Sequence, residues 1–409
     1  MIAFAITLPY HVLRTAAAAG VRVHVLGNGV ARGLRTSRYC RRFHQSQFTG
    51  DPEALLAEIG ELVRRHAIDI VFASDDVSTR LLAALSGRLP VRAVPVPALA
   101  TFDLLNDKWN FTQFCQANGV RVPQGWRFDS TAALRQALDS GELALPITVK
   151  PTNRSGGFGV LHIREPGDIV LIDTVDYSPI LVQRHIVGES VSITVMCERG
   201  RVVAHVAQER DAARFRVIAD ADLLANASRL AALTGYDGTA NFDAVLAEDD
   251  GLSYLVECNP RFWYSIYLVM LAGLNFVDLA VNRPAARPHE VATLGCGEVR
   301  FSLRDAVTKP WRATRLDWQF LFYNLCDPLA YLLQRAKSWD DSDVAVPVGE
   351  MSSYGRPRSA SSEDVRRAPV SAPCQLAVPE ILPLPTGGAS LPRQKLAAFG
   401  QIRVGDEVL

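Results

Sequence analysis

The 409-residue sequence predicts an α/β domain followed by a larger α+β region, and three observations carry that reading. Over residues 1–100, short β-rich runs at 21–26 and 68–73 alternate with a helical pattern at 52–66, the order in which parallel sheets with covering helices are built. From about 103 to 280, longer β segments at 180–186, 190–198 and 201–208 take over, the texture of mainly antiparallel sheet. Hydrophobic residues make up 48% of the chain and charged residues 21%, an ordinary folded balance, and the length fits two or three structural units.

Each element has a local cause. Asp51 is a good N-cap with Pro52 at the first helical position, and Leu55, Leu56, Ile59, Leu62 and Val63 recur at helical spacing, so this helix buries one face. The run Gly27-Asn28-Gly29-Val30-Ala31-Arg32-Gly33 invites a dinucleotide-loop reading, but Arg32 stands where the third glycine belongs; it reads as a glycine turn. Residues 281–341 read as a helical extension with an aromatic, helical stretch at 316–333. The segment 342–409 is rich in Ser, Pro and Arg and reads as a disordered tail.

Composition excludes several classes of function. Lys plus Arg and Asp plus Glu both number 43, so no overall charge draws the chain to nucleic acid or an anionic membrane. Seven cysteines without CxxC spacing read as reduced thiols of a cytoplasmic protein. The apolar start, residues 2–8, lacks the basic flank and cleavage site of a signal peptide. The most apolar internal segment, 266–281, is interrupted by Gly273, Asn275 and Asp278 and is too short to span a bilayer. A soluble protein is expected, and assembly into an oligomer is compatible with the sequence.

The chemistry concentrates in two segments. Thr239-Ala-Asn-Phe-Asp-Ala-Val-Leu246 and Ser253-Tyr-Leu-Val-Glu-Cys-Asn-Pro-Arg261 flank the turn-forming Glu248-Asp-Asp-Gly251 and should pair as a hairpin. With the turn centred on Asp250, Asp243 faces Glu257 and Asn241 faces Asn259, and strand alternation puts all four on one face. Two opposed carboxylates repel unless a cation neutralises them, which points to a hard divalent metal. For an isolated hairpin, simple solvation would be the plainer account. A second segment weighs against it: Lys150 ends a strand-like run and leads into Pro151-Thr-Asn-Arg-Ser-Gly-Gly-Phe-Gly159, whose small residues can wrap phosphate oxygens around that lysine's charge. It lacks the GxxxxGK[ST] form, so no P-loop is implied.

Taken in order, Asp107-Lys108 opening a helix, Pro146-Ile-Thr-Val-Lys-Pro151 with Ser155-Gly-Gly-Phe-Gly159, Gln183-Arg-His-Ile-Val-Gly188 and Glu257-Cys-Asn-Pro-Arg261 resemble the ATP-grasp superfamily over roughly 101–275. Within it the chain looks most like single-module relatives of the carbamoyl phosphate synthetase large subunit, many of them carboxylate-amine ligases. The resemblance implies a Rossmann-like pre-ATP-grasp domain at 1–100, an N-terminal lobe at 101–182 and a C-terminal lobe with the metal site at 183–280. It implies ATP with magnesium, or manganese in its place. Lys108 and Lys150 would contact phosphates, and the loop at Ser155, Gly156 and Gly157 would close over them. Asp243, Glu257 and Asn259 would hold the metal, and Arg261 would meet the transferred phosphate, acting with Lys150 in catalysis. The hinge at 181–186 would recognise adenine, with Gln183, Ile186 and Glu189 beside the nucleotide. Many members carry an acid at the position of Gln183 and another near 190, where this chain has Glu189 followed by Ser190.

The activity so implied is ATP-dependent joining of a small-molecule carboxylate to an amine or amino acid. Phosphorylation of bicarbonate or carbamate is the alternative, and a nucleotide-binding module without turnover is a third reading that the joint presence of Lys150, Asp243, Glu257 and Asn259 argues against. Other residues take the plainer role. Cys258 alternates to the opposite face and packs in the core; His185 and His205 have no partner spacing; Arg210, Arg214 and Arg216 read as a solvated loop; Trp318, Phe320, Phe322 and Tyr323 read as helix packing. Because residues 345–409 cannot bury a core of their own, a chain ended at 345 is expected to keep ATP turnover. A truncated protein that folds, measured by circular dichroism, yet releases no ADP would show that the tail completes the site.

Overall fold

The computed structural model describes residues 1–154, 156–210, 214–282, 292–294, 297–300 and 310–337. Ser155, part of the expected extension at 281–341 and the whole of the expected tail at 342–409 lie outside them.

The first hundred residues form strands β1 (Ile2–Ala3), β2 (Val23–Gly27), β3 (Cys40–Gln45), β4 (Ile70–Val71) and β5 (Arg92–Ala93), with helices α1 (Thr7–Ala18), α2 (Pro52–His66) and α3 (Asp76–Ala84) between them. Every pairing is parallel, β1 with β2, β2 with β3 and β4 with β5. A bridge from Ile2 to Ala73 joins the two groups of strands, giving the order β3-β2-β1-β4-β5 of doubly wound sheets. Helix α2 starts as its sequence requires: the Asp51 side chain accepts from Glu53 N at 3.0 Å. Its Leu55 and Ile59 are buried against Ile2 and Leu26. The glycine run at 27–33 turns into a 3-10 helix, Val30–Thr36.

Helices α4 (Leu99–Asn106) and α5 (Lys108–Ala117) lead into an antiparallel sheet of β6 (Gly125–Phe128), β7 (Ile147–Pro151), β8 (Leu161–Ile163) and β9 (Ile180–Arg184) in the order β6-β9-β7-β8, with α6 (Thr131–Asp139) packed on one face. Residues 185–187 connect β9 to the next sheet, β10 (Gly188–Glu198), β11 (Arg201–Arg210), β12 (Arg214–Ile218), β13 (Gly238–Ala247), β14 (Ser253–Asn259) and β16 (Glu298–Arg300), with β15 (Ala292–Thr293) beside β11. Its order is β14-β13-β10-β11-β12-β16. Helix α7 (Ala221–Thr234) covers it through Leu223, Ala227 and Leu230, sharing a core with Phe111 and Cys115 of α5. That shared core fixes α5, and hence Lys108, over the hairpin of β13 and β14.

Two expectations change in the structure, the packing of the aromatic residues at 316–333 and the loop expected around Arg214 and Arg216. The segment 316–333 is helical as expected and divides into two helices, Arg315–Leu325 and Pro328–Lys337, because Pro328 has no N–H to continue the first. Asp327 at the break is buried and accepts from Ser37 Oγ at 2.5 Å and Arg38 N at 3.1 Å. The aromatic side chains there divide: Tyr323 is buried, whereas Trp318 and Phe322 are exposed. Arg214 and Arg216 lie in β12 and both pair with Glu209 across the ladder, so they are strand residues where a loop was expected; the Arg210 side chain is outside the described residues. The segment 266–281 is two short helices, α8 (Ile266–Ala272) and α9 (Phe276–Asn282), parted by Gly273 at φ 119°. Among the described residues no helix is long and apolar enough to cross a membrane.

Candidate functional site

The hairpin forms, and Asp243 faces Glu257 while Asn241 faces Asn259. The reason differs from the count made on the sequence. Near the turn Ala244 faces Leu255, so the turn is centred between Asp249 and Asp250, and a regular ladder would set Asp243 against Val256. Val256 is one extra residue, a β-bulge, and it moves Glu257 into place. The bulge also lets Leu255 and Cys258 both point into the core with Phe242 and Ala244 while Glu257 keeps the opposite face. The carbonyl of Val256 accepts from Lys150 Nζ at 2.9 Å.

Two lysines converge on that face. Lys150 is near the end of β7, and Lys108 is the first residue of α5, whose cap Asp107 accepts from Asn110 N at 2.9 Å. The Lys108 backbone N–H donates to Thr152 O at 2.9 Å, which ties the helix start to the end of β7. Its Nζ donates to Arg154 O at 2.6 Å and lies 3.1 Å from Glu257 Oε2. Both lysines are buried, at 8% and 6% exposure, so two ammonium groups are held out of water beside two carboxylates.

The electrostatics follow from that burial. Burial pushes Asp243 up to about 8, and the neighbouring Glu257 charge adds to the rise. Burial works on Glu257 in the same sense, but the Lys108 charge, the hydrogen bond with Asp243 and the Lys150 charge outweigh it and hold Glu257 down at about 2. Near neutral pH the pair therefore carries one negative charge and shares one proton. Burial also lowers Lys150 to about 8, opposed by Glu257 and reinforced by Lys108. Buried charge clusters of this kind are expensive for folding alone.

The surrounding polar groups lock the acids in place. Asn259 Nδ2 donates to Asp243 Oδ2 at 3.0 Å, and Asn241 Nδ2 donates to Asp243 Oδ1 at 2.9 Å while its own oxygen accepts from Thr194 Oγ1 at 2.8 Å. Arg261 reaches away from the acids: Nε donates to Asp76 Oδ1 at 2.6 Å, Nη1 to Phe262 O at 2.9 Å and Nη2 to Asn259 Oδ1 at 2.9 Å. Asp76 opens α3, so this pair ties the hairpin to the parallel-sheet domain.

The expected nucleotide residues are more dispersed. Gly156 and Gly157 sit at φ 74° and 77°, a conformation costly for any side-chain-bearing residue, in an exposed loop after β7. Farther along that loop, Tyr177 Oη donates to Gly159 O at 2.6 Å. Gln183, whose partner the sequence left unnamed, is buried in β9 and donates through Nε2 to Thr112 Oγ1 of α5 at 3.1 Å. Ile186 is half-buried in the connection between the sheets, and Glu189 is exposed on β10. His185 is not isolated: its Nδ1 lies 3.0 Å from Thr148 Oγ1, with His162 Nδ1 3.2 Å from the same oxygen.

Sequence reasoning missed Asp76, the Val256 carbonyl and the His162–Thr148–His185 group. Asp76 is 185 residues from Arg261 and no local pattern links them. The histidines are brought together by the pairing of Thr148 with His162 across β7 and β8, a register that spacing alone does not set.

The mixed α/β architecture of two sheets joined by a short connection is an ATP-grasp fold, which the chain shares with the solved structures below. Over residues 176–296 it matches the family described as ATP-grasp in the biosynthetic pathway with Ter operon. Among solved structures it is similar to an L-amino acid ligase from Bacillus licheniformis, at 18% identity and TM-score 0.50, covering 68% of this chain and 72% of that one. It is similar to the N5-carboxyaminoimidazole synthetase of Staphylococcus aureus complexed with ADP, at 18% identity and TM-score 0.54, covering 68% and 75%. It is also similar to a biotin carboxylase from Campylobacter jejuni, at 16% identity and TM-score 0.53, covering 68% and 69%.

Proposed function

We propose that the chain is an ATP-dependent carboxylate-amine ligase. The observation that carries this reading is the convergence of Lys108 and Lys150 on the Asp243–Glu257 pair, which holds buried positive and negative charge in contact, Lys108 Nζ lying 3.1 Å from Glu257 Oε2. A polyanion on the lysines and a dication on the acids would relieve both halves of that arrangement at once.

In this reading Lys108 and Lys150 hold ATP phosphates, and the loop carrying Ser155, Gly156 and Gly157 turns its N–H groups to the terminal ones. Ile186 and Glu189, with Gln183 behind them, border the adenosine. Asp243, Glu257 and Asn259 are an all-oxygen donor set that suits magnesium, which when bound would neutralise charge on the transferring phosphoryl group. Asn259 now turns its nitrogen to the acids and its oxygen to Arg261. As a ligand it would present the oxygen, leaving Arg261 a free donor for an anion. A substrate carboxylate oxygen attacks the γ-phosphorus, and ADP leaves. The amine then attacks the carbonyl carbon of the acyl phosphate and loses a proton as phosphate departs. The protein's part is positioning and charge, the main requirements of phosphoryl transfer.

The domain boundaries proposed are 1–100 for the parallel-sheet domain and 101–182 and 183–280 for the two lobes. The decisive experiment measures ADP release with magnesium against pools of carboxylates and amines, with product identification by mass. Release that requires both a carboxylate and an amine supports the ligase. Release driven by bicarbonate alone favours the second reading, which two of the structural likenesses also fit, one to a biotin carboxylase and one to a carboxyaminoimidazole synthetase. Nucleotide binding without release under any condition would sink both.

A further inference from the structure

Three histidines meet in the parallel-sheet domain, each from a different element: His24 on β2, His44 on β3 and His66 at the last residue of α2. One ring nitrogen from each lies within 4.8 Å of the other two, and His24 Nδ1 is 3.0 Å from His44 Nε2. The rings enclose a common space, with centroids 5.3 Å apart for His24 and His44, 5.0 Å for His24 and His66 and 4.8 Å for His44 and His66. All three are half-buried, and no further Cys, Asp, Glu or His side chain joins the group among the described residues.

The fold assembles this group for a plain reason. Parallel pairing sets His44 beside Leu26 and Arg42 beside His24, and alternation puts His24, Leu26 and His44 on one face of the sheet. Leu26 packs against Leu55 and Ile59, so α2 covers that face and its C-terminal turn carries His66 over the two strand histidines. Burial, then the His66 charge, lowers both His24 and His44.

We propose that His24, His44 and His66 form a zinc site, sharing no residue with the lysine–carboxylate site. Three imidazole nitrogens are a donor set for borderline first-row dications, not for the oxygen-seeking magnesium of the other site. Zinc–nitrogen bonds of about 2.1 Å in a tetrahedron set nitrogens about 3.4 Å apart, so the present spacing needs only ring adjustments. Three protein ligands leave a fourth position for water or an anion, and the positive charge of Arg41 and Arg42 near His24 favours an anion there. Bound zinc would clip α2 to both strands and raise the melting temperature.

The test uses the full chain, stripped by a chelator and supplied with excess magnesium, then titrated separately with zinc and with cobalt(II). Expected are one cobalt per chain with the strong visible absorption of four-coordinate nitrogen ligation, its displacement by zinc, and a zinc-dependent rise in melting temperature. His44→Ala should lose the band and weaken zinc by at least about tenfold. His66→Gln, at a helix end, should do the same and decides the matter if His44→Ala fails to fold. Asp243→Asn should keep the band. Absence of the band in wild-type protein, or a band that survives His44→Ala or His66→Gln in folded protein, overturns the proposal.

Discussion

Glu257→Gln is expected to abolish turnover while leaving the cation-free protein nearly as stable as wild type. The second half of this expectation comes from the shared charge. Without a metal, Glu257 carries the negative charge and Asp243 holds the proton, because burial and the Glu257 charge raise Asp243 to about 8. When Gln replaces Glu257, the repulsion on Asp243 disappears and Asp243 ionises instead. The two lysines still face one anion, and the hydrogen bonds from Asn241 and Asn259 to Asp243 already suit a carboxylate. Catalysis has no such substitute, since a dication needs both charges. Loss of a residue that merely orients a ligand costs roughly 10–100-fold, so loss of a ligand should cost at least that in kcat/KM. The checks are thermal melting in chelator and ADP release at saturating magnesium. Wild-type turnover would remove Glu257 from the metal site. A melt many degrees lower in chelator would make Glu257 a structural anion for Lys108 and Lys150.

Lys150→Ala should weaken ATP binding by about ten- to a hundredfold, the usual worth of a charge-assisted hydrogen bond to phosphate. Its pH dependence is the more specific signature. Lys150 is lowered to about 8 in the free protein, and a bound polyphosphate would raise it, so binding takes up a proton near that pH. Affinity measured without divalent cation should therefore be full below pH 8 and fall as pH rises through it. Asp243 titrates in the same range and acts in the same sense, since its ionisation repels the nucleotide. Lys150→Ala should accordingly flatten the profile in part, and Lys150→Ala with Asp243→Asn should flatten it fully. Calorimetry in buffers of different ionisation enthalpy reads the proton uptake directly. An unchanged affinity and an unchanged profile in Lys150→Ala would place the phosphates elsewhere.

Much of the site was legible because it depends on short-range rules. Asp107 caps a helix, so Lys108 must open it; Lys150 ends a strand, so a loop must follow; Asp243 and Glu257 flank one turn on adjacent strands. The pairing of the two acids was nevertheless reached through a symmetric hairpin that does not exist. The bulge at Val256 supplies the missing residue, and nothing in Leu255-Val-Glu257 announces it, because a bulge is chosen by how both faces of the strand pack.

The sequence by itself determined the alternation of elements, the caps, the antiparallel character of the central region and the residue types that can bind phosphate and a hard cation. These follow from backbone periodicity and side-chain chemistry, which act over a few residues. Tertiary structure alone decided which distant groups meet. It set Asp76 on Arg261, Gln183 on Thr112, Glu209 between Arg214 and Arg216, and three histidines around one point. Each of these meetings depends on how sheets and helices pack across buried apolar faces, and that packing fixes positions by shape, which no local spacing in the chain encodes.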